Sequence, residues 1–239
     1  MNNLKEQSLA NIVTNHFQAA QVFEKYNLDF CCKGKKTLAI ACDENRVDME
    51  SVLTDLAEVL QQDEQVKDFN NMSLEALISY IILHHHFYVK QSLPNILSHI
   101  EKVSYKHGAS YPYMVEVLNI FEQVNEEMIS HMQKEEMILF PRIRAIESAL
   151  SFNSNILMNK SEIEKPIEVM ETEHDFVGEA LAKIKVLTNN YTILDEMCTT
   201  FKITIAELKE FEEKLHEHVH LENNILFPKA KNLFNVIIV

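Results

Sequence analysis

Two strings of this sequence set the same side chains in the same order: His131-Met-Gln-Lys-Glu135-Glu-Met-Ile-Leu-Phe-Pro141 and His218-Val-His-Leu-Glu222-Asn-Asn-Ile-Leu-Phe-Pro228. The His, the Glu and the closing Ile-Leu-Phe-Pro all recur at a constant separation of 87 residues. On a helix, residues four apart stand one above the other, so each string directs an imidazole and a carboxylate toward a common point. Such a pair is half of a metal site. Two copies facing one another inside a helical bundle supply nitrogen and oxygen ligands from both sides, as a dinuclear iron or manganese centre requires.

The elements that must hold these strings are long amphipathic helices. Ser73 suits the N-cap of a helix running through Leu77, Ile78, Ile81 and Ile82 and past His86, with a bend at Pro94. After a loop over 104–111, Pro112 fits the first turn of a second helix. Its stripe of Val117, Ile120, Phe121, Val124 and Met128 leads into His131, and it should weaken near Pro141. A polar loop over 151–161 precedes a third helix, with Pro166 near its start, His174 in its body and Asn189 and Asn190 at its end. The fourth begins near Thr199 and carries Phe201, Ile205, Leu208, Phe211 and Leu215 toward His218.

His86 precedes His131 by 45 residues and His174 precedes His218 by 44, so each half is a helix with one His followed by a helix with His-x-x-x-Glu. The expected fold is therefore all-α. Residues 73–239 form an antiparallel four-helix bundle made of a duplicated helical hairpin, and residues 1–66 form a small helical domain. That domain reads as short pieces broken at 26–34 and at 42–46, with the polar stretch 61–71 as a linker. The apolar residues 236–239 either pack or fray.

A pseudo-twofold axis through the bundle gathers His86, His131, Glu135, His174, His218 and Glu222, four imidazoles and two carboxylates, around one centre. Successive residues of a helix point about 100° apart, so only one or two of His84, His85 and His86 can face it, and His86 is the one that matches His174. His216 and His220 lack the spacing to Glu222 and read as solvated or as support for the ligands. Glu136 and Glu173 adjoin ligands and are either exposed or orient those ligands from outside; His16, His99 and His107 read as surface. Zinc prefers four ligands, often thiolates, whereas this mixed set of six suits two iron or manganese ions. Glu135 and Glu222 could both bridge them, leaving room for an oxo or hydroxo bridge and for dioxygen or nitric oxide.

The pair Cys31-Cys32 is the second candidate for chemistry. Next to Lys33, Lys35 and Lys36, its thiols are expected to ionise more readily and to react with oxidants or transfer metal. An incidental pair is the alternative. Cys42 and Cys198 read as structural.

Composition narrows the partners. Only 3 Gly and 5 Pro in 239 residues leave too few turn residues for an all-β fold. A net charge of −14 disfavours nucleic acid and anionic membranes as partners. No signal peptide or membrane-spanning run is legible, and the four cysteines lack the spacing of a disulfide framework or zinc ribbon, so a reducing cytoplasm is the expected compartment.

Over nearly its whole length the chain resembles the Repair of Iron Centres family, bacterial hemerythrin-like di-iron proteins. The likeness lies in Lys25-Tyr-Asn-Leu-Asp-Phe-Cys-Cys-Lys-Gly34, in Val169-Met-Glu-Thr-Glu-His-Asp175, in Glu196-Met-Cys-Thr-Thr200 and in both His-x-x-x-Glu strings. The resemblance implies two non-haem iron ions per chain, with His86, His131, His174 and His218 as terminal ligands and Glu135 and Glu222 as bridges. It further implies repair of iron-sulfur proteins damaged by nitric oxide or oxidants, by supplying iron, with Cys31 and Cys32 assisting. One departure stands out: the family has two glycines after the cysteine pair, and the first is Lys33 here. If the backbone at that position had positive φ, the pair's geometry would be disturbed.

The expected function is thus a repair protein and iron donor rather than a conventional enzyme, with nitric oxide reduction left open. A hemerythrin-like carrier or sensor of dioxygen or nitric oxide is the alternative, although hemerythrin uses five His and a His-x-x-x-His pair that is absent at the matched ligand positions. A ferritin-like oxidase or store would call for Glu-x-x-His pairs, the reverse order. A homodimer is compatible with the sequence.

Overall fold

The computed structural model describes residues 4–61, 68–152, 154 and 158–237, of which 236–237 by backbone alone. Residues 62–67, where the first expected domain ends and the linker begins, lie outside the described residues, as do 153 and 155–157 of the expected loop and 238–239 at the end. Among the described residues there is no strand, only a bridge between Ser8 and Thr37. The chain is all-α and forms two compact units, residues 1–78 with 216–239, and residues 79–215.

The first unit opens with four short helices: α1 (Leu9–Asn15), α2 (Ala19–Lys25), α3 (Leu38–Asn45) and α4 (Met49–Leu60). Ser8, Thr37 and Asp48 accept the orphan N–H groups of α1, α3 and α4 through their side chains. Helix α3 runs through the expected break at 42–46, because Cys42 is buried and continues its apolar face; the turn comes at Arg46, which is left-handed at φ 55°. A 3-10 turn, Phe69–Asn71, follows with Phe69 buried, and Ser73 caps the next helix, α5 (Leu74–Tyr80), as its spacing predicts.

In the second unit lie α6 (Phe87–His107), α7 (Tyr113–Lys134), α8 (Phe140–Ser151), α9 (Ser161–Leu187) and most of α10 (Thr199–Leu221). Helix α6 takes in part of the expected loop, ending at His107. Helices α7 and α9 run in opposite directions, with Glu116 paired to Lys183 at one end and His131 to Glu173 at the other. Helix α10 runs against α6, with Phe201 beside His107, Glu207 on His99 and Phe211 on Tyr88. Phe201, Ile205, Leu208, Phe211 and Leu215 are all buried, and each apolar side chain so buried contributes about 1.5–3 kcal/mol. Three left-handed residues in a row, Asn189, Asn190 and Tyr191, close α9.

Neither proline of the repeated strings ends its helix. Before each, the helix widens into one π turn, Glu135–Leu139 and Glu222–Leu226, and then continues as α8 and as α11 (Phe227–Ile237). Phe140 donates to the Glu135 carbonyl and Phe227 to that of Glu222, each five residues back. Proline has no N–H and crowds the carbonyl four residues back, and the wider turn carries the chain past that position. A third π turn, Ile81–His86, occurs without proline.

Candidate metal centre

The three π turns coincide with three of the expected ligands: His86 closes the first, and Glu135 and Glu222 open the others. Extra turns of this kind cluster at functional sites because they re-aim a side chain without ending the helix. In the second unit, His86, His131, Glu135 and His174 are all buried. Nε2 of His86 and Nε2 of His131 each lie 3.3 Å from the same carboxylate oxygen, Oε2 of Glu135. Nε2 of His174 is 3.0 Å from Nε2 of His131, and the ligand atoms of His131, Glu135 and His174 lie within 4.8 Å of one another.

What turns these nitrogens inward is an outer pair of carboxylates. Nδ1 of His86 lies 2.7 Å from Oε1 of Glu136, and Nδ1 of His131 lies 2.9 Å from Oε2 of Glu173. With the proton on Nδ1 and donated outward, each Nε2 presents its lone pair to Glu135. Lys90 pairs with Glu136 at 2.7 Å, and Lys134 pairs with Glu173. Burial alone would raise both carboxyls, but the hydrogen bonds from lysine and histidine hold Glu136 and Glu173 below the usual range. They remain anionic acceptors. Neither glutamate is exposed, and each holds the ring of an expected ligand in place.

These donors fit a first-row metal. Two imidazole nitrogens bound at right angles to one ion at about 2.1 Å stand about 3.0 Å apart, matching the approach of His131 and His174. A carboxylate buried among imidazoles is also costly unless a cation shares the space. In the first unit, His218 and Glu222 are both buried, with Nε2 of His218 2.8 Å from Oε1 of Glu222.

The remaining histidines divide differently from expectation. His84 is exposed against Tyr80, whereas His85 is buried. His220 is not solvated: it is fully buried between Phe17 and Phe30, and burial pushes it down to about 4. His216 pairs with Glu24. Only His16 among the three read as surface is exposed; His99 is half-buried on Glu207, and His107 lies 3.2 Å from Sγ of Cys198.

The cysteine pair occupies the turn between α2 and α3. Cys31 is buried and Cys32 half-buried, with their sulfurs 3.8 Å apart and both thiols free. The expected easier ionisation does not hold for Cys31: its hydrogen bond to Cys32, its burial and the Asp29 carboxylate push its thiol up. The lysines do not offset this, since Lys33 and Lys35 are exposed and Lys36 pairs with Glu44. Lys33 is not among the residues of positive φ, so its place in the turn carries no left-handed strain. Sequence reasoning passed over Asp29 and Asn224. Oδ1 of Asp29 accepts from the N–H groups of Cys31, Cys32 and Lys33, and Asn224 donates to the Cys31 carbonyl at 3.2 Å. The signal for Asp29 was available in the Asp-x-Cys-Cys order, the spacing of an Asx turn. Nothing local marks Asn224.

Two family models match this chain. The model of the hemerythrin HHE cation binding domain matches residues 77–230, and that of ScdA_N, a domain of unknown function (DUF542), matches residues 5–60. The iron-sulfur cluster repair proteins YtfE of Shigella boydii serotype 4 and Citrobacter koseri are each 35% identical over 226 residues, covering 95% of this chain and 97% of theirs. The YtfE protein of Escherichia coli O17:K52:H18 stands at the same identity and coverage. No described helix is long and apolar enough to cross a membrane.

Proposed function

From the premise that this chain belongs to the family of iron-sulfur cluster repair proteins, we propose that it restores iron-sulfur clusters damaged by nitrosative or oxidative stress, in the cytoplasm, from a centre of two iron ions. His86, His131, Glu135, His174, His218 and Glu222 would hold the irons through four imidazoles and two carboxylates. When bound, the metal pair supplies open coordination positions for nitric oxide or dioxygen and iron for a damaged cluster. The protein's own part is to fix the donors. Glu136 and Glu173 keep the protons of His86 and His131 on Nδ1, and burial keeps bulk water from the carboxylates. Cys31 and Cys32 assist the transfer, and damaged iron-sulfur proteins are the clients. The division by sequence into a leading domain over 1–66 and a bundle over 73–239 belongs to this reading.

The observation that carries the proposal is the convergence of two outwardly anchored imidazoles on one buried oxygen of Glu135. That pattern is expensive for a bundle core and serves a cation. The test is metal content and Mössbauer spectra of anaerobically purified protein, before and after incubation with a nitric-oxide-damaged iron-sulfur enzyme. About two irons per chain, lost as the client regains activity, is the expected result. Glu135→Ala and Glu222→Ala should abolish both. Iron that stays bound while the client stays inactive would favour the carrier or sensor alternative, and absence of iron would remove the ligand set.

A further inference from the structure

The turn that carries the cysteines is built more tightly than an incidental pair needs. It is clamped by Gly34, whose carbonyl accepts from Ala10 N at 2.8 Å and where a Cβ would fall 2.1 Å from the Phe30 carbonyl. Asp29 gathers three successive N–H groups through Oδ1 at 3.0–3.2 Å and also accepts from Sγ of Cys31 at 3.4 Å. Asn224, two residues after Glu222 and in the same compact unit, fixes the Cys31 carbonyl. Both sulfurs thereby lie on one side of a rigid turn, 3.8 Å apart. A disulfide would need about 2.05 Å. Two thiolates at about 2.3 Å from one tetrahedral ion, by contrast, stand about 3.8 Å from each other. The ligand atoms of Asp29, Cys31 and Cys32 lie within 4.8 Å of one another.

We propose that Asp29, Cys31 and Cys32 form a second metal site, which takes a single thiophilic divalent cation through two thiolates and one carboxylate oxygen and leaves a fourth position open. The two sulfurs exclude magnesium and calcium, which take oxygen ligands, and admit ferrous iron or zinc. Binding replaces the two thiol protons, which pass to solvent, and changes no oxidation state. The half-exposed Cys32 and Asp29 provide the way in, and Cys31 is the buried anchor. Naming the natural cation as ferrous iron in transit to a client rests on the repair reading above; the site itself does not.

Cobalt(II) tests this on the reduced full-length chain under anaerobic conditions. Thiolate ligands give cobalt an intense charge-transfer absorption that the histidine and glutamate set cannot produce. One equivalent of this band is expected, bleached by zinc, absent in Cys31→Ser and in Cys32→Ser, and retained in Cys42→Ser and Cys198→Ser. Asp29→Asn keeps an oxygen for the three N–H groups but loses the anionic ligand, and should weaken cobalt binding at least about tenfold, the lower end of what even outer-sphere partners are worth. No band in the unmodified chain would overturn the site without recourse to any variant, as would a band that survives both serine substitutions. Metal lost from the histidine and glutamate set with the band intact would count against the repair centre and leave this site standing.

Discussion

Glu136 and Glu173 do for the proposed metal ligands what those side chains cannot do for themselves. An imidazole free to choose its tautomer spends part of its time with Nε2 protonated and closed to metal, whereas a carboxylate on Nδ1 removes that choice. The lysines that pair with both glutamates keep them anionic, so the outer shell is ionic on its far side and neutral on the near side. Glu136→Gln and Glu173→Gln should therefore each lower metal affinity about 10- to 100-fold in a chelator competition, with helical circular dichroism unchanged. Affinity equal to that of the unmodified chain would mean that burial alone orients the rings. The glutamates' positions were visible in the sequence as neighbours of ligands, but their direction was not. Glu136 reaches across to His86 from another helix, and Glu173 reaches His131 in the same way. The repeat offers no help: 87 residues after Glu136 stands Asn223, so the second half does not copy this device.

At the scale of elements, the repeated Ile-Leu-Phe-Pro has a physical meaning that periodicity alone does not reveal. Expected to weaken the helix at its proline, it instead straddles the end of a single wide turn that begins at Glu135 or Glu222, and the helix continues beyond it. An α turn and a π turn differ by one residue in the position of one hydrogen bond, and a proline alone does not signal that choice, since Ile81–His86 widens without one. The helices themselves were legible, since Ser73 and Thr199 mark real starts and the stripe of α10 is buried as its spacing predicts. Their ends were less so, because Cys42 and the residues before His107 continue a buried face across local turn signals. Removing the extra residue tests what the π turn is for. Met137 lies within Glu135–Leu139 and is 72% exposed, so its loss creates no cavity. Deleting it should leave the helix content and the buried faces on either side intact while withdrawing Glu135 from its two histidines. Metal content should fall to about half or less, on the reasoning that a shared carboxylate serves both ions. Full metal occupancy in the deletion would show that an ordinary α turn aims Glu135 equally well.

For the whole molecule, the partition into compact units joins the two ends of the chain. The leading helices share one unit with residues 216–239, which carry the second His-x-x-x-Glu string. Sequence periodicity places those residues on the fourth helix of a bundle, and α10 does reach Leu221, but periodicity cannot say what covers a buried face. Here the cover is specific. Phe30 packs edge-on against His220 at 5.7 Å, Glu24 holds His216, Asn224 holds the Cys31 carbonyl, and Phe17 packs on Phe69 at 5.0 Å. Ile12, Val13, Phe23 and Phe30 of the leading segment and Phe227 and Phe234 of the closing one are all buried. Burial of such side chains, at about 25 cal/mol per Å² of apolar surface, favours keeping the two segments together. A protease site placed between Gln61 and Asp68 provides the measurement. After cleavage, the two fragments should co-elute in native size exclusion and separate only in denaturant. If the leading fragment elutes alone, residues 216–239 do not depend on it, and the thiol turn would act as a detachable module. If the fragments stay together, loss of the leading segment strips the cover from His220 and the clamp on the turn that begins at Glu222, so its deletion should lower the melting temperature and the metal content together. That pairing separates a structural partner of the metal centre from a mere appendage, which would change neither.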